Sequence, residues 1–320
     1  MKVLKYYSIW LYHFQLWARW RPTFYRAGLQ GFGQLLPWRA MNQTTSARLS
    51  VSIVLHNSSL QMLHRVLQSL HRAAEVAYAS ACVGQVSVDI LDNSLDAEYG
   101  RRAAAETAAW QEGDFFRVAY HDLRENRGFG AGHNVVVAGL DSDVHLVLNP
   151  DAELAENALQ VGLSCLLDEP GIVLLSPRVL GEDGAQEFLC KRYPSLLVLL
   201  LRPFNFRLVR RLFRRRLYRY EMRDLCGGQG EVDVLLASGC FMLVRTAALQ
   251  SVGGFNEDYF LYFEDFDLSI RLGAQGRLVF NPAIQIVHHG GYAASKGIQH
   301  VRYFIRSGMT FFSEHGWRWI

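Results

Sequence analysis

The chain of 320 residues predicts an α/β fold in which a central, mostly parallel sheet is flanked by helices. Three observations lead there. From residue 49 onward, short apolar runs alternate with segments of helical periodicity. Each run ends on polar residues, as strands do when their carboxyl ends face a ligand crevice. Half of all positions are hydrophobic, enough to bury a sizeable core.

The elements follow in order. A first strand is expected over Leu49 to Leu55, then a helix with Leu60, Leu63, Val66, Leu67 and Leu70 at helical spacing. A second strand is expected over Val86 to Leu91, followed by a helix from Ala97 to Trp110 and a short strand from Arg117 to His121. A further helix begins near Gly130, and a strongly apolar strand, His145 to Leu148, stops abruptly at Asn149-Pro150-Asp151. No internal repeat or low-complexity tract breaks the chain, so the two halves are expected to share one body.

Composition narrows the classes. A net charge of +3 does not suit a general nucleic-acid binder. The five cysteines are odd in number and lack a C-x-x-C pair, which argues against a disulfide framework and a zinc site and fits a reducing compartment. Residues 1–48 form a separate basic, aromatic segment. Its stretch from Tyr6 to Ala18, free of Lys, Arg, Asp and Glu, falls short of the roughly 20 apolar residues of a spanning helix, and no signal-peptide pattern is present. Rings beside basic groups suit a membrane interface; docking on the protein's own body is the alternative. Between 196 and 220, Leu196 to Leu201 precede arginines at 207, 210, 211, 214, 215, 216 and 219. Val209, Leu212, Phe213, Leu217 and Tyr220 share the opposite side of a helical projection. Such a helix favours anionic lipid, or else packs its apolar stripe on the protein.

Five clusters carry the chemistry, each with a plainer alternative. Val51-Ser-Ile-Val-Leu-His-Asn57 delivers His56 and Asn57 to a strand end where nucleotides sit, or is simply a buried strand with a polar end. Asp89-Ile-Leu-Asp92-Asn-Ser94 offers a carboxylate to a base or ribose, or forms a turn. In Glu125-Asn126-Arg127-Gly128-Phe129-Gly130-Ala131-Gly132-His133-Asn134, glycines before a helix permit close approach to a phosphate or sugar. The spacing is neither a dinucleotide fingerprint nor a P-loop, so dehydrogenases and P-loop enzymes are disfavoured. Asp151 leaves a strand where a cation can bridge protein and diphosphate, or caps a helix. The fifth cluster is the longest: Ala237-Ser-Gly-Cys-Phe-Met-Leu-Val-Arg245, Val252-Gly-Gly-Phe-Asn-Glu257, Tyr262-Phe-Glu264-Asp265-Phe-Asp267-Leu-Ser-Ile-Arg271 and His288-His-Gly-Gly291.

Taken in this order, the segments resemble the family-two glycosyltransferases of the rhamnosyltransferase-like branch, over roughly residues 49 to 315. The resemblance implies a GT-A fold with a nucleotide-sugar-binding half, 49–180, and an acceptor-binding and catalytic half, 181–320, that includes the basic segment 196–220. It implies Asp265 as the catalytic base, Glu264 as an acceptor contact, and Asp151 with His288 as ligands of a divalent cation, Mg or Mn. Either His288 or its neighbour His289 faces the site. Asn57, Asp92, Asn126, Gly128, Gly132 and Asn134 fall on the nucleotide-sugar side. The chain departs from the pattern at Asn149, where a neutral amide replaces the first carboxylate of the metal motif, at His56, usually aromatic, and at His133, usually asparagine. Asp267 reads better as a helix-start charge.

The activity implied is inverting transfer of a sugar, rhamnose favoured and dTDP-rhamnose as its donor, to a lipid-linked or cell-surface polysaccharide acceptor. Peripheral attachment to the anionic inner face of a bacterial plasma membrane, on the cytoplasmic side, goes with it; nucleic acid does not. Transfer of galactofuranose or a hexose, and a non-catalytic nucleotide-sugar or glycan-binding protein, are the alternatives.

Overall fold

The computed structural model describes residues 46–110, 115–201, 211–290 and 297–320; the aromatic segment 1–45 and the centre of the basic stretch, 202–210, lie outside the described residues. Strand β1 (Ala47–Leu55) alternates apolar and small polar residues. Leu49, Val51, Ile53 and Leu55 join one core, while Ser50 and Ser52 point to the other face. Helix α1 (Leu60–Ala79) starts at Ser59, whose hydroxyl accepts from the Met62 N–H at 3.3 Å. It buries Leu63, Val66, Leu67 and Leu70 against the sheet, about 1.5–3 kcal/mol for each side chain. Strand β2 (Val83–Asp92), helix α2 (Ala97–Ala108), strand β3 (Phe116–Asp122), helix α3 (Phe129–Val137) and strand β4 (Val144–Leu148) complete the first half. Asp96 caps α2, accepting from the Glu98 N–H at 2.8 Å.

The second half contributes β5 (Ala152–Leu154), α4 (Ala158–Asp168), β6 (Ile172–Leu180), β7 (Gln186–Glu187), α5 (Leu196–Leu201), α6 (Arg214–Tyr220) and β8 (Val232–Asp233). It closes with β9 (Phe241–Arg245), α7 (Thr246–Ser251), α8 (Glu264–Gly273), β10 (Arg277–His288) and α9 (Ile298–His315). One sheet contains strands from both halves in the order β3-β2-β1-β4-β9-β6-β10-β5, with β7 on β6 and β8 on β10. Pairing is parallel among β1 to β4, as expected, and between β6 and β10. Strand β9 enters antiparallel between β4 and β6, and β5 lies antiparallel on β10, so the whole sheet is mixed.

Side chains alternate between two cores. Leu146, Leu148, Phe241 and Leu243 face α1 and α4, whereas Val147, Met242 and Val244 face Leu249 of α7 and Leu268 and Leu272 of α8. Beneath α3 the buried polar face of β1 is satisfied internally. Ser52 Oγ lies 2.7 Å from His133 Nδ1 and 2.8 Å from His145 Nε2, and Ser50 Oγ lies 2.7 Å from His145 Nδ1. Burial pushes both imidazoles down to about 3, with the neighbouring His145 adding to the effect on His133, so both are neutral at physiological pH.

The basic stretch divides rather than presenting one apolar stripe. Tyr220 is buried, Leu217 and Phe213 are half-buried, and Leu212 is 71% exposed. The backbone N–H of Leu196, at the start of α5, donates to the Arg318 carbonyl at 2.9 Å, which ties the apolar run to the C-terminal tail.

Candidate active site

Because β1, β2 and β4 are parallel, with Leu55 opposite Asp92 and Ile53 opposite Leu148, their carboxyl ends line one edge of the sheet. His56 and Asn57, the Asp92-Asn93-Ser94 turn and Asn149-Pro150-Asp151 all emerge there. Asn57 has φ 51° and donates its N–H to Ser94 Oγ at 2.8 Å, which locks the first two turns together. Asn126 Oδ1 accepts from the Gly128 N–H at 3.1 Å, and its Nδ2 lies 3.5 Å from His56 Nε2. Asp92 is nearly inaccessible, at 1% exposure. Its carboxylate accepts from the Ser94 N–H at 2.8 Å and the Tyr120 hydroxyl at 2.6 Å.

The glycine cluster serves packing. Gly128 has φ +86°, and a Cβ there would sit 2.2 Å from the Phe260 carbonyl oxygen, which accepts from the Phe129 N–H. Only glycine tolerates that approach. A Cβ on Gly132 would meet Val54 at 3.0 Å. Asn134 accepts from the Phe255 N–H at 2.8 Å and donates to the Phe255 carbonyl and Glu257. Gly132 packs α3 against Val54 and against Asn93 of the turn after β2, and Asn134 fastens α3 to the 254–257 loop.

The Glu264-Asp265 pair sits at the start of α8, behind two consecutive left-handed residues, Tyr262 (φ 72°) and Phe263 (φ 67°). Such conformations cost about 1–3 kcal/mol each outside glycine. An aromatic cluster holds them: Phe263 is buried against Phe304 and Phe311, and the Tyr262 hydroxyl lies 3.0 Å from His300 Nδ1. Asp265 accepts from the Gly239 N–H at 3.0 Å and the Phe266 N–H at 2.9 Å. Ser269 fixes the same segment, accepting from the Ala237 N–H at 3.0 Å and donating to the Asp265 carbonyl at 2.7 Å. Burial pushes Asp265 up to about 6 against those hydrogen bonds and the Lys191 ammonium, which favour its charged form. Glu264 is buried, its Oε2 has no hydrogen-bond partner among the described residues, and burial followed by the charge of Asp265 raises it well above the usual carboxylate range. Asp267, also in the first turn, pairs with Arg271 at 2.6 Å and His315 at 2.8 Å. Its place is in the fold.

Segment 238–240 joins this pair to the metal-motif corner. The Asn149 N–H donates to the Cys240 carbonyl at 3.0 Å, and β5 pairs with the end of β10, Ala152 opposite His288. Of the two histidines, His288 points to Asp151, its Nε2 3.6 Å from Oδ1, while His289 lies between Glu153 and Glu182 at 2.8 and 2.7 Å. Asp151 Oδ1 is buried without a hydrogen-bond partner among the described residues. An oxygen and a nitrogen at that spacing can both reach one cation at about 2.1 Å, so the pair fits a divalent ion. Burial pushes the Cys240 thiol up, and the charges of Asp151, Glu187 and Asp265 add to it.

Sequence reasoning did not single out Glu187 or Lys191. Glu187 Oε2 lies 3.0 Å from His288 Nδ1, and Lys191 is a buried cation on a chain segment bridged to Leu236, just before the Ala237-Ser-Gly-Cys motif. For Lys191 a signal existed: a lysine and an arginine before Tyr193-Pro194 at the head of an apolar run. Glu187 carried none.

Comparison with known proteins agrees with the motif resemblance. The chain is 28% identical over 183 residues to an N-acetylglucosaminyl-diphospho-decaprenol L-rhamnosyltransferase of Mycobacterium tuberculosis, covering 53% of this chain and 58% of that protein. It is 28% identical over 176 residues to the rhamnosyltransferase WbbL of Escherichia coli K12, covering 51% and 61%. The matched region thus spans about three fifths of each relative's length. No family model matches. Among solved structures, GalNAc-T7, crystallised with UDP, GalNAc and Mn2+, superposes with a TM-score of 0.57 at 14% identity, over 84% of this chain and 48% of that one. The fold is the GT-A glycosyltransferase fold.

Proposed function

We propose that the chain is an inverting glycosyltransferase that moves a sugar, rhamnose favoured, from a nucleotide-diphosphate donor to a lipid-linked or cell-surface polysaccharide acceptor. The observation that carries this reading is the placement of Asp265. It is a half-buried carboxylate, raised to about 6 by loss of solvent and held by the Gly239 N–H one residue from the backbone that holds the Asn149-Pro150-Asp151 turn. The 28% identity to rhamnosyltransferases supports the sugar, and the relative whose name specifies a decaprenol-linked substrate supports the acceptor class.

In the proposed reaction the acceptor oxygen bonds to the anomeric carbon as the bond from that carbon to the diphosphate breaks, and the hydroxyl proton passes to Asp265. The transition state has oxocarbenium character. Gly239 and Phe266 hold the base in place through backbone N–H groups, and Glu264, whose burial disfavours its charged form, is the acceptor contact. Asp151 and His288 would hold a divalent cation, whose chemistry is to offset the charge building on the departing diphosphate. Asn57, Asp92, Asn126 and Gly128 shape the nucleotide end of the crevice, Asp92 through the Ser94 turn that it closes.

Attachment to the anionic inner face of a bacterial membrane belongs to the same proposal. Helix α9 exposes Ile298, Val301 and Met309 beside Arg302 and Arg306, and α6 exposes Arg214, Arg215 and Arg219. No helix among the described residues is long and apolar enough to cross a membrane. The test is mass-spectrometric detection of nucleoside diphosphate released from dTDP-, UDP- and GDP-sugars, with a polyprenyl-diphosphate-linked N-acetylglucosamine acceptor and Mg2+ or Mn2+. Release from dTDP-rhamnose, with sugar on the acceptor, is expected. Donor binding without turnover under every condition would leave a binding protein instead.

A further inference from the structure

We infer that Glu187 is a positioning residue, which holds the His288 imidazole with its proton on Nδ1 so that the Nε2 lone pair faces Asp151. The inference rests on reading Asp151 and His288 as the cation-holding pair. The distances decide the tautomer. A neutral imidazole carries one N–H. Nδ1 has an acceptor at hydrogen-bond distance, Glu187 Oε2 at 3.0 Å, while Nε2 is 3.6 Å from Asp151 Oδ1, too far to bond. Asp151 Oδ1 receives no hydrogen bond from any described residue. Two lone pairs therefore face each other in a partly buried corner, an arrangement that a cation stabilises and that is repulsive without one.

The backbone makes this placement specific. Glu187 lies on β7, the return strand of the β6–β7 hairpin, with Val179 as its partner in register. Glu182, in the turn of the same hairpin, contacts His289 Nδ1 at 2.7 Å. The hairpin thus grips both members of the His288-His289 pair, one carboxylate to each. A Cβ on Gly290 would lie 2.3 Å from His288 Cε1, so glycine at 290 leaves the ring free to turn toward Asp151 and Glu187. Where histidines ligate metals, a carboxylate on the other ring nitrogen fixes the tautomer, and its removal typically weakens metal binding about 10–100-fold.

The test uses the full chain, labelled with 15N-histidine, at pH 8 without metal, the His288 signals being those missing in His288→Ala. The wild type is expected to show His288 protonated on Nδ1. In Glu187→Ala, and in the nearly isosteric Glu187→Leu should the alanine variant not fold, the proton should move to Nε2. Glu187→Gln should keep it on Nδ1, because the amide oxygen still accepts. Mn2+ alone is then titrated and followed by loss of the free-ion EPR signal. Affinity should fall about 10–100-fold in the Ala or Leu variant and stay near wild type in the Gln variant. A wild-type Nε2–H tautomer, or an Ala or Leu variant with unchanged tautomer or unchanged Mn2+ affinity, overturns the inference. If the wild type binds no Mn2+ while the tautomer responds as expected, the cation reading falls and the hold of Glu187 on His288 stands.

Discussion

Replacing Asp265 by asparagine should abolish transfer and, at the same time, stabilise the protein. Burial raises the carboxyl from 3.8 to about 6, so the folded chain holds this proton more tightly than the unfolded chain does. A group shifted in that sense makes the native state lose stability as pH rises from 3.8 through 6; above that range the loss is about 3 kcal/mol. Asparagine cannot ionise, which removes this cost. Its single carbonyl oxygen can accept from only one of the Gly239 and Phe266 N–H groups, and its NH2 faces the other, a penalty of about 1 kcal/mol. The net expectation at pH 7.5 is a gain of about 2 kcal/mol in urea unfolding free energy. At pH 5, between the two values, only about half of that loss remains, so the gain should be clearly smaller. Comparing wild type with variant at each pH cancels the titration of every other group that the substitution leaves alone. Turnover, followed as nucleoside diphosphate release, should drop about 10²–10⁴-fold. A variant with more than a tenth of wild-type turnover would refute the base assignment, and one with no pH-dependent gain would refute the proton-retaining carboxylate.

Three other outcomes are expected. His133 is held neutral, so it contributes stability that is fully present above its ordinary value of 6.5 and lost as pH falls toward 3; His133→Asn should remove about 1.4 kcal/mol per pH unit of acid slope below 6.5, measured by urea unfolding between pH 7 and 5. An unchanged slope would contradict the buried pair. Gly290→Ala should displace the His288 ring and lower transfer about 10²-fold while leaving the melting temperature within a few degrees; full activity would show that the ring has room elsewhere. Replacing Arg210, Arg211, Arg214 and Arg215 together by glutamine should weaken binding to anionic vesicles by about 1 kcal/mol for each arginine near the surface, and unchanged co-sedimentation would remove the membrane reading.

Much of the fold was legible because its signals are local. The alternation Leu49-Ser-Val-Ser-Ile-Val-Leu55 encodes a strand with one apolar face, and the leucines from 60 to 70 encode the helix that covers it. The short strands β5, β7 and β8, of two or three residues each, were not legible, because so few residues carry no periodicity. Nor was the antiparallel entry of β9 between β4 and β6, which depends on the path of the chain rather than on the composition of the strand. The basic stretch was half legible. Tyr220 does bury, but Leu212 does not: Arg211 and Leu212 are helical, a turn at Phe213 interrupts the stretch and a new helix starts at Arg214, whereas the projection assumed one uninterrupted helix.

At the site, candidate residues were legible where one short segment holds several ionisable side chains, as in Glu264-Asp265 or His288-His289. The glycine cluster was legible only as a place of close approach. Glycine marks close approach but not what approaches, and here it is the Phe260 carbonyl and Val54 that do. The converse failure is Glu187, 101 positions from His288 and unremarkable among neighbouring acids. Glu187 is delivered to His288 by a hairpin whose sequence signals only a turn, Gly181-Glu-Asp-Gly184. A sequence motif can place a ligand atom at the end of a strand. The tautomer that makes the atom a ligand is set by whichever acceptor the fold brings to the other side of the ring, and in this protein that acceptor comes with the pairing of β6 and β7.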